Sequence, residues 1–245
     1  MSLFTVTTSL HLPGKESQTM KCLHELFTIE RQILESKQIR CVLINEYAPD
    51  NIDRLSNIRL RYPQITCIQK NVLNIGQAKS INMILEMLRE ETFEFWIHWE
   101  ESWLVHAPFL TDAMTIFKEH PEISQLQIAK GWDNVPHDVH DKVNVVSHEY
   151  HKVIDERLNM KAENVLWKNK PWPLFSLQPG IDRVKNIINI GDFYPHQNSV
   201  PHGKVNGSEF NFACRWYEQN VKKGVLTPYR AFRELHHIST NRYIY

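Results

Sequence analysis

The stretch that decides the fold is Phe93–Leu104, which reads FEFWIHWEESWL. It begins as an apolar, aromatic run of the kind that fills a buried strand, and we expect a strand over Phe93–Trp99. Two adjacent carboxylates, Glu100 and Glu101, follow where this strand must end, with a tryptophan on each side of the pair. Paired acids against so much aromatic surface suggest a binding site at the end of the strand.

Strand and helix patterns alternate on both sides of this stretch. Short β-rich runs predict further strands at Leu3–Thr8, Ile39–Ile44, Ile65–Ile68 and near Gln125–Ala129. Helical spacing predicts helices at about 16–37, in a short segment through Leu60, and at Ser80–Glu90 and Phe109–Glu119. Such alternation predicts an α/β fold with a mostly parallel central sheet flanked by helices. Ligands of these sheets bind at the carboxyl ends of the strands, where Asn45-Glu46 and Glu100-Glu101 both fall.

The second half of the chain has a looser pattern. A segment rich in His, Trp, Pro and Asn covers residues 131–180, and helices are predicted near Val145–Leu158 and at about Ser208–Lys222. We expect a single domain over 1–245, in which 131–245 builds a second wall onto 1–130. Two close histidine pairs, His137/His140 and His148/His151, could bind zinc, but a polar loop is the favoured interpretation.

The bulk composition excludes several classes of protein. Lys+Arg and Asp+Glu both number 28, so no overall charge favours nucleic acid or an anionic membrane. The four cysteines are widely spaced and form no CxxC motif. The first residues lack the pattern of a signal peptide, and no apolar run approaches the roughly 18 residues of a membrane span. We therefore expect a soluble, cytoplasmic protein without a membrane span.

The segment Asn74–Asn82, NIGQAKSIN, follows the third predicted strand and opens a helix. Gly76 permits close backbone approach, and free N–H groups at a helix start suit an anion, although an ordinary helix start would look the same. The spacing resembles the NxGxAxSxN segment of family-2-like, GT-A-fold glycosyltransferases. The resemblance implies a GT-A-like (Rossmann-like) fold.

The acidic stretch is similar to a second motif of these enzymes. His98–Trp103, HWEESW, resembles the HxEDDW version of the DxD-type element found in one subgroup, with Ser102 in place of the third acid. Near the C-terminus, His237-Ile238 resembles the terminal H-I-G motif. The resemblance implies a divalent cation, Mn²⁺ or Mg²⁺, held by Glu101, Ser102 and His237 against the donor diphosphate. An acidic turn exposed to solvent after a core strand is the alternative.

Two further segments resemble acceptor-side elements of the same enzymes. Ser208–Arg215, SEFNFACR, resembles the E-D-x-x-F-x-x-R segment, which implies that Glu209 is the general base of an inverting transfer. A first-turn acid that stabilises its helix is the alternative. Leu174–Gly180, LFSLQPG, resembles the FSLxPG element, which implies that Ser176 lies beside the donor sugar or the acceptor. Trp103 would offer aromatic surface to a sugar.

Taken together, the resemblance implies a hexosyltransferase-like enzyme that moves a sugar from a UDP- or GDP-sugar to a hydroxyl of a glycan or glycoprotein. Residues 1–130 would bind the nucleotide sugar and 131–245 the acceptor. The implied nucleotide-sugar contacts are Thr8, Ser9, Glu46, Gly76, Lys79, Glu100 and Glu101. Two alternatives remain: a metal-dependent nucleotidyltransferase or phosphohydrolase, for which TSLHLPGKES (8–17) offers only a faint phosphate loop, and a catalytically weak sugar-binding module.

Overall fold

The structure is a computed structural model, and it describes residues 1–36, 38–45, 53–69, 77–129, 137–139, 141–146, 150–152, 154, 174–194 and 207–233. Its strands are β1 Ser2–Thr8, β2 Ile39–Asn45, β3 Ile65–Gln69, β4 Phe95–Glu100, β5 Trp103–Val105, β6 Ile123–Gln127, β7 His137–Val139, β8 Val143–Val146, β9 Gly180–Arg183, β10 Lys222–Leu226 and β11 Ala231–Arg233. Its helices are α1 Lys15–Ile29, α2 Arg31–Leu34, α3 Ser56–Arg61, α4 Gln77–Glu90, α5 Leu110–Glu119, α6 Val184–Ile188 and α7 Gly207–Tyr217.

Within these described ranges, nine strands form one sheet in the order β3-β2-β1-β4-β9-β6-β10-β8-β7. The four strands β3, β2, β1 and β4 pair in parallel, as do β6 and β10. Strands β9 and β8 run against their neighbours. The predicted α/β fold with a mostly parallel, helix-flanked sheet is therefore confirmed. A separate two-stranded ribbon pairs β5 with β11.

The sheet is buried on both faces, which explains why its first strands carry apolar side chains on both faces. Successive side chains of a strand point to opposite faces of the sheet, and Phe4, Ile97 and Trp99 lie on one face. There they pack in a core to which α1 contributes Leu23 and α5 contributes Phe117. The opposite face carries Leu3, Val42 and Trp96, and it packs against α4, α6 and α7. The aromatic run of the sequence thus divides between two apolar layers.

Strands from the second half of the chain complete this sheet. Strand β9 lies between β4 and β6, and β10 lies beside β6, so residues of 174–233 are interleaved with those of 95–127. The second half therefore contributes strands to the sheet itself as well as covering one of its faces.

Most elements predicted from the sequence are confirmed, with a few corrections. The long helix at 16–37 is broken at Glu30, because α1 ends at Ile29 and α2 begins at Arg31. The helix predicted near Val145–Leu158 is wrong at its start, since Val143–Val146 forms β8. The C-terminal helix ends at Tyr217, and Lys222 already belongs to β10. Strands β5 and β7 to β11 were not predicted.

Two of the four clustered histidines, His140 and His148, lie outside the described residues. His137 begins β7, and the ring of His151 stacks on Tyr217 with 5.5 Å between ring centroids. No helix in the described ranges combines the length and the hydrophobicity needed to span a bilayer.

Candidate active site

The carboxyl ends of β1, β2 and β4 meet at one edge of the sheet. The register places Glu100 beside Thr7 and Asn45 beside Thr8, so the acidic strand end and the end of β2 flank β1. The Glu101 amide donates to the Thr7 carbonyl over 3.2 Å, which fixes the chain as it leaves β4. The Asn45 side chain accepts a hydrogen bond from Leu10 N–H at 2.9 Å. This edge is where ligands of parallel sheets bind.

A row of polar side chains crosses the face of the sheet that carries Trp96. Alternation along each strand puts these residues on that face, opposite the one occupied by Ile97, Ile181 and Leu126. The row consists of Thr5, Thr7, His98, Glu100, Asp182, Gln125, Gln127 and Lys223. All except the partly buried Glu100 are buried. Buried polar groups are costly unless they are hydrogen-bonded, so such a row needs a polar partner above it.

The segment Leu174–Pro179 supplies that partner. Gln125 donates from Nε2 to the Ser176 carbonyl and accepts from the Ser176 amide, at 3.0 and 3.1 Å. Gln127 donates to the Pro179 carbonyl at 3.1 Å, and Lys223 Nζ donates to the Leu174 carbonyl at 2.8 Å. Side chains of the sheet thereby hold the backbone of an irregular segment in one conformation.

Helix α7 brings Glu209 to the same segment. Glu209 lies in the first turn of α7, where the helix dipole favours a carboxylate. Its Oε1 accepts a hydrogen bond from the Leu177 amide at 2.8 Å. Glu209 also interacts electrostatically with Glu100 and with Lys223. The helix that carries the predicted base is thus joined to Leu174–Pro179 and faces the acidic strand end.

Burial perturbs the ionisable groups of this region. The pKa of Glu100 is raised to about 7 by burial and then by the negative charges of Glu101 and Glu209, against the opposing effect of Arg233 and Trp103. Burial likewise raises the pKa of Glu209, while the Leu177 amide and Lys223 oppose the rise. Groups of this kind cluster at functional sites because catalysis uses carboxyls that titrate near neutral pH.

A second perturbed pair lies deeper in the row. Burial raises the pKa of Asp182 to about 8, although a hydrogen bond from Gln125 and the charge of Lys223 pull it down. Burial lowers the pKa of Lys223, and Asp182 and Glu209 oppose that shift. Asp182 and Lys223 therefore form a buried acid–base pair beneath Glu209.

The carboxylate of Glu101 has a cationic partner that the sequence did not suggest. Lys15, the first residue of α1, places Nζ 2.5 Å from Glu101 Oε1. Lys15 belongs to the stretch after the first strand, which offered only a faint phosphate loop in the sequence. The sequence motifs indicated neither Gln125 nor Lys223 nor Lys15 as a residue of the site. A lysine next to a turn glycine, as in Gly14-Lys15, was the available signal for Lys15.

The remaining predicted residues fall in several places. The Thr8 hydroxyl is buried and hydrogen-bonded to Thr19 at 2.7 Å, and Ser9 follows it at the end of β1. Lys79 is exposed in the first turns of α4, and Ser176 is buried in the held segment. Three predicted residues, Glu46, Gly76 and His237, lie outside the described residues.

The tryptophans around the paired acids correct one expectation. Trp103 is 5% exposed and Trp96 and Trp99 are fully buried, so their rings offer no open surface to a sugar. Trp99 donates from Nε1 to the Trp103 carbonyl at 2.9 Å, and Trp96 donates to the Thr5 hydroxyl at the same distance. Their role in this structure is to anchor the strand end, because both apolar layers need large side chains there.

Comparison with known proteins identifies the fold. The chain matches S. aureus TarS 1–349 in complex with UDP-GlcNAc with a TM-score of 0.59 and 17% identity, over 98% of this chain and 60% of that one. It matches GalNAc-T7 with UDP, GalNAc and Mn²⁺ at TM-score 0.58 and 12% identity, over 95% and 43% of the two chains. The fold is that of GT-A glycosyltransferases.

A third GT-A structure is similar over a comparable range. The mannosyltransferase PcManGT from Pyrobaculum calidifontis, in complex with GDP-Man and Mn²⁺, matches at TM-score 0.54 and 12% identity, over 97% of this chain and 58% of that one. The chain therefore spans about 60% or less of the length of these three GT-A structures. Neither a protein-family model nor a curated protein sequence matches it. At these identities the similarity concerns the fold.

Proposed function

We propose that the protein is a glycosyltransferase that moves a sugar from a nucleoside-diphosphate sugar to a hydroxyl acceptor, with inversion at the anomeric carbon. The observation that carries the proposal is the position of Glu209. Its carboxylate is joined to the Leu177 amide, and it interacts with Glu100 at the acidic strand end of a GT-A fold. A base on one side and a diphosphate site on the other are what a single-displacement sugar transfer requires.

In this proposal Glu209 takes the proton of the acceptor hydroxyl as its oxygen attacks the anomeric carbon. The new C–O bond forms while the bond from the sugar to the diphosphate breaks, and the diphosphate leaves with the electron pair. Burial raises the pKa of Glu209, which makes the carboxylate a stronger base than an exposed one. General bases work best when their pKa lies near the working pH.

The donor is proposed to be a UDP- or GDP-sugar, because TarS and PcManGT bind UDP-GlcNAc and GDP-Man, respectively. It would lie along the carboxyl ends of β1, β2 and β4. Its base and ribose would lie toward Thr8, Ser9 and Glu46, and its diphosphate toward Gly76, Lys79 and the Glu100-Glu101 pair. The sugar or the acceptor, a glycan or glycoprotein hydroxyl, would lie beside Ser176. We also infer kinship with the subgroup that carries the HxEDDW motif, on the basis of His98–Trp103.

A divalent cation accompanies the nucleotide in GalNAc-T7 and PcManGT. Of the three ligands expected here, Glu101 is bound to the Lys15 ammonium and Ser102 is a neutral alcohol, while His237 lies outside the described residues. The described residues of this edge do not group three His, Cys, Asp or Glu side chains in a way that could hold a metal. The ligands described here therefore do not fit the expected cation, and the mechanism above uses none.

The test is to incubate the protein with UDP- and GDP-sugars and a panel of glycan acceptors, and to analyse the products by mass spectrometry and NMR. We expect transfer of the sugar with inverted anomeric configuration, and its loss in Glu209→Gln. Release of a sugar 1-phosphate would indicate attack at phosphorus and hence a nucleotidyltransferase or a phosphohydrolase. Tight sugar or nucleotide binding without any turnover would indicate a binding module instead.

A further inference from the structure

Lys15 and Glu101 form an ion pair that is largely shielded from solvent. The Lys15 side chain is 24% exposed and that of Glu101 is 10% exposed, with 2.5 Å between Nζ and Oε1. Lys15 Nζ also donates to Gln18 Oε1 at 3.0 Å, within α1. Shielded pairs are screened by salt much less than surface pairs, so this ammonium is held firmly at the strand end.

Backbone contacts fix both partners in place. After β1 the chain turns tightly, with Leu12 N–H donating to Ser9 O at 2.9 Å and Lys15 N–H donating to Leu12 O at 3.2 Å. Gly14 allows this turn because its φ is 76°, a conformation that favours glycine. On the other side the Glu101 amide is bound to Thr7 O. The ion pair therefore joins the start of α1 to the residue that follows β4, and backbone hydrogen bonds hold the chain on both sides.

The Lys15 ammonium in this position can replace a metal ion at the diphosphate. Lysine is a common phosphate binder because it presents a compact charge with three donors. A diphosphate carries more negative charge than one carboxylate, so it should compete successfully for Lys15. The carboxylate of Glu101 would repel the same ligand, because like charges destabilise each other at short range. Glu101 thus opposes binding of the diphosphate when no metal ion lies between the carboxylate and the diphosphate.

We propose that Lys15 binds the diphosphate of the donor by exchanging its ion pair with Glu101, and that it supplies the positive charge for which these enzymes otherwise use a metal. Glu101 is then the residue that holds Lys15 in position before the donor arrives. This inference rests on the proposed function, because it presumes that a nucleoside diphosphate binds at this edge. It reverses the role that the sequence resemblance implied for Glu101.

The test measures UDP and GDP binding by isothermal titration calorimetry in EDTA and again in Mn²⁺. We expect the wild-type protein to bind in EDTA, and Lys15→Met to weaken binding by about tenfold or more, the range for loss of a charged hydrogen bond. Glu101→Gln removes the competing carboxylate and should tighten binding in EDTA. Lys118→Met is the matched control, because Lys118 is exposed beside Ser2 at the opposite end of the sheet.

Two further variants guard against a folding artefact. Lys15→Arg keeps a cation and should retain metal-free binding. The double variant Lys15→Met/Glu101→Gln leaves no unpaired charge, and it should fold like the wild type yet bind clearly more weakly than Glu101→Gln alone, because the ammonium is missing. Wild-type binding only in Mn²⁺, or weaker binding by Glu101→Gln than by the wild type in Mn²⁺, would overturn the inference and make Glu101 a metal ligand. Absence of any UDP or GDP binding in either buffer would instead refute the proposed function.

Discussion

Oε1 of Glu209 accepts a hydrogen bond from the Leu177 amide nitrogen, which lies 2.8 Å away. This bond links α7 to the backbone of the Leu174–Pro179 segment. The same segment is bound from below by Gln125, Gln127 and Lys223. Glu209 is therefore oriented by a framework that reaches across two paired strands of the sheet, β6 and β10. Catalytic groups need such support, because small displacements reduce catalysis steeply.

Glu209→Gln tests the proposed base directly. The amide keeps an oxygen that can accept the Leu177 N–H, so the segment should stay in place, but the basic oxygen is lost. We expect turnover to fall by about 10²–10⁴-fold, with nucleotide binding near the wild-type value. Steady-state kinetics and calorimetry measure the two quantities. Glu218→Gln, at an exposed position just beyond α7, should keep full activity. Full transfer by Glu209→Gln would make Asp182 or a retaining mechanism the better explanation.

Gln125→Leu tests whether the polar row holds the segment above it. Gln125 satisfies both the N–H and the C=O of Ser176 and also donates to Asp182. Leucine would leave those groups buried without partners, each at a cost of about 1–3 kcal/mol, so the free energy of unfolding should fall by roughly 2–4 kcal/mol. Urea denaturation measures the loss. Gln32→Leu, at an exposed position in α2, should change stability little, and an equal loss there would contradict this account.

The apolar strands in the first half of the chain could be predicted from the sequence. The more polar strands β9 and β10 in the second half could not. Strands β1, β2 and β4 are rich in apolar residues at successive positions because both of their faces are covered. Strand β9 reads GIDR and β10 reads KKGVL, which look like loops because Asp182 and Lys223 are ionisable. Their burial depends on the partners across the sheet and in Leu174–Pro179, which no local pattern shows.

Some residues of the candidate site could likewise be predicted from the sequence, and others could not. The acidic strand end and the first-turn position of Glu209 were recognisable from short motifs, since both depend on local sequence. The Lys15–Glu101 pair joins residues 86 positions apart in the chain. The cationic partner of Glu101 therefore depends on how α1 returns to the strand end, and only the three-dimensional arrangement brings it into view.

Lys223→Met tests the influence of the buried lysine on the proposed base. Lys223 lowers the pKa of Glu209, and of Asp182 as well. Removing its charge should raise the pKa of Glu209, so a higher pH is needed to ionise the base. We expect the acidic limb of the pH profile of kcat/KM to move to higher pH. Lys222→Met alters the adjacent exposed lysine and should leave the limb in place. An unshifted limb in an active, folded Lys223→Met protein would show that Lys223 has only a structural role.

His98 makes a prediction about stability in acid. Its side chain is 1% exposed, and its two ring nitrogens have no hydrogen-bond partner among the described residues. Burial lowers the pKa of His98 to about 3, from 6.5 in the unfolded chain. As the pH falls below 6.5, the unfolded chain binds a proton that the folded protein refuses, so stability is lost on acidification. Between pH 6.5 and pH 5 the loss should be about 2 kcal/mol.

His98→Phe removes this protonation while keeping an aromatic ring beside Trp96, whose centroid lies 5.3 Å from that of His98. We expect the free energy of unfolding of the variant to fall less between pH 7 and pH 5 than that of the wild type, by about 2 kcal/mol. The raised pKa values of Glu100 and Asp182 act in the opposite direction, but they are common to both proteins and cancel in the difference. Urea denaturation at the two pH values measures it, with His24→Phe as an exposed control on α1. If His98→Phe and the wild type lost stability equally, the His98 ring would have to accept its proton in the folded state, which requires a polar partner close to it.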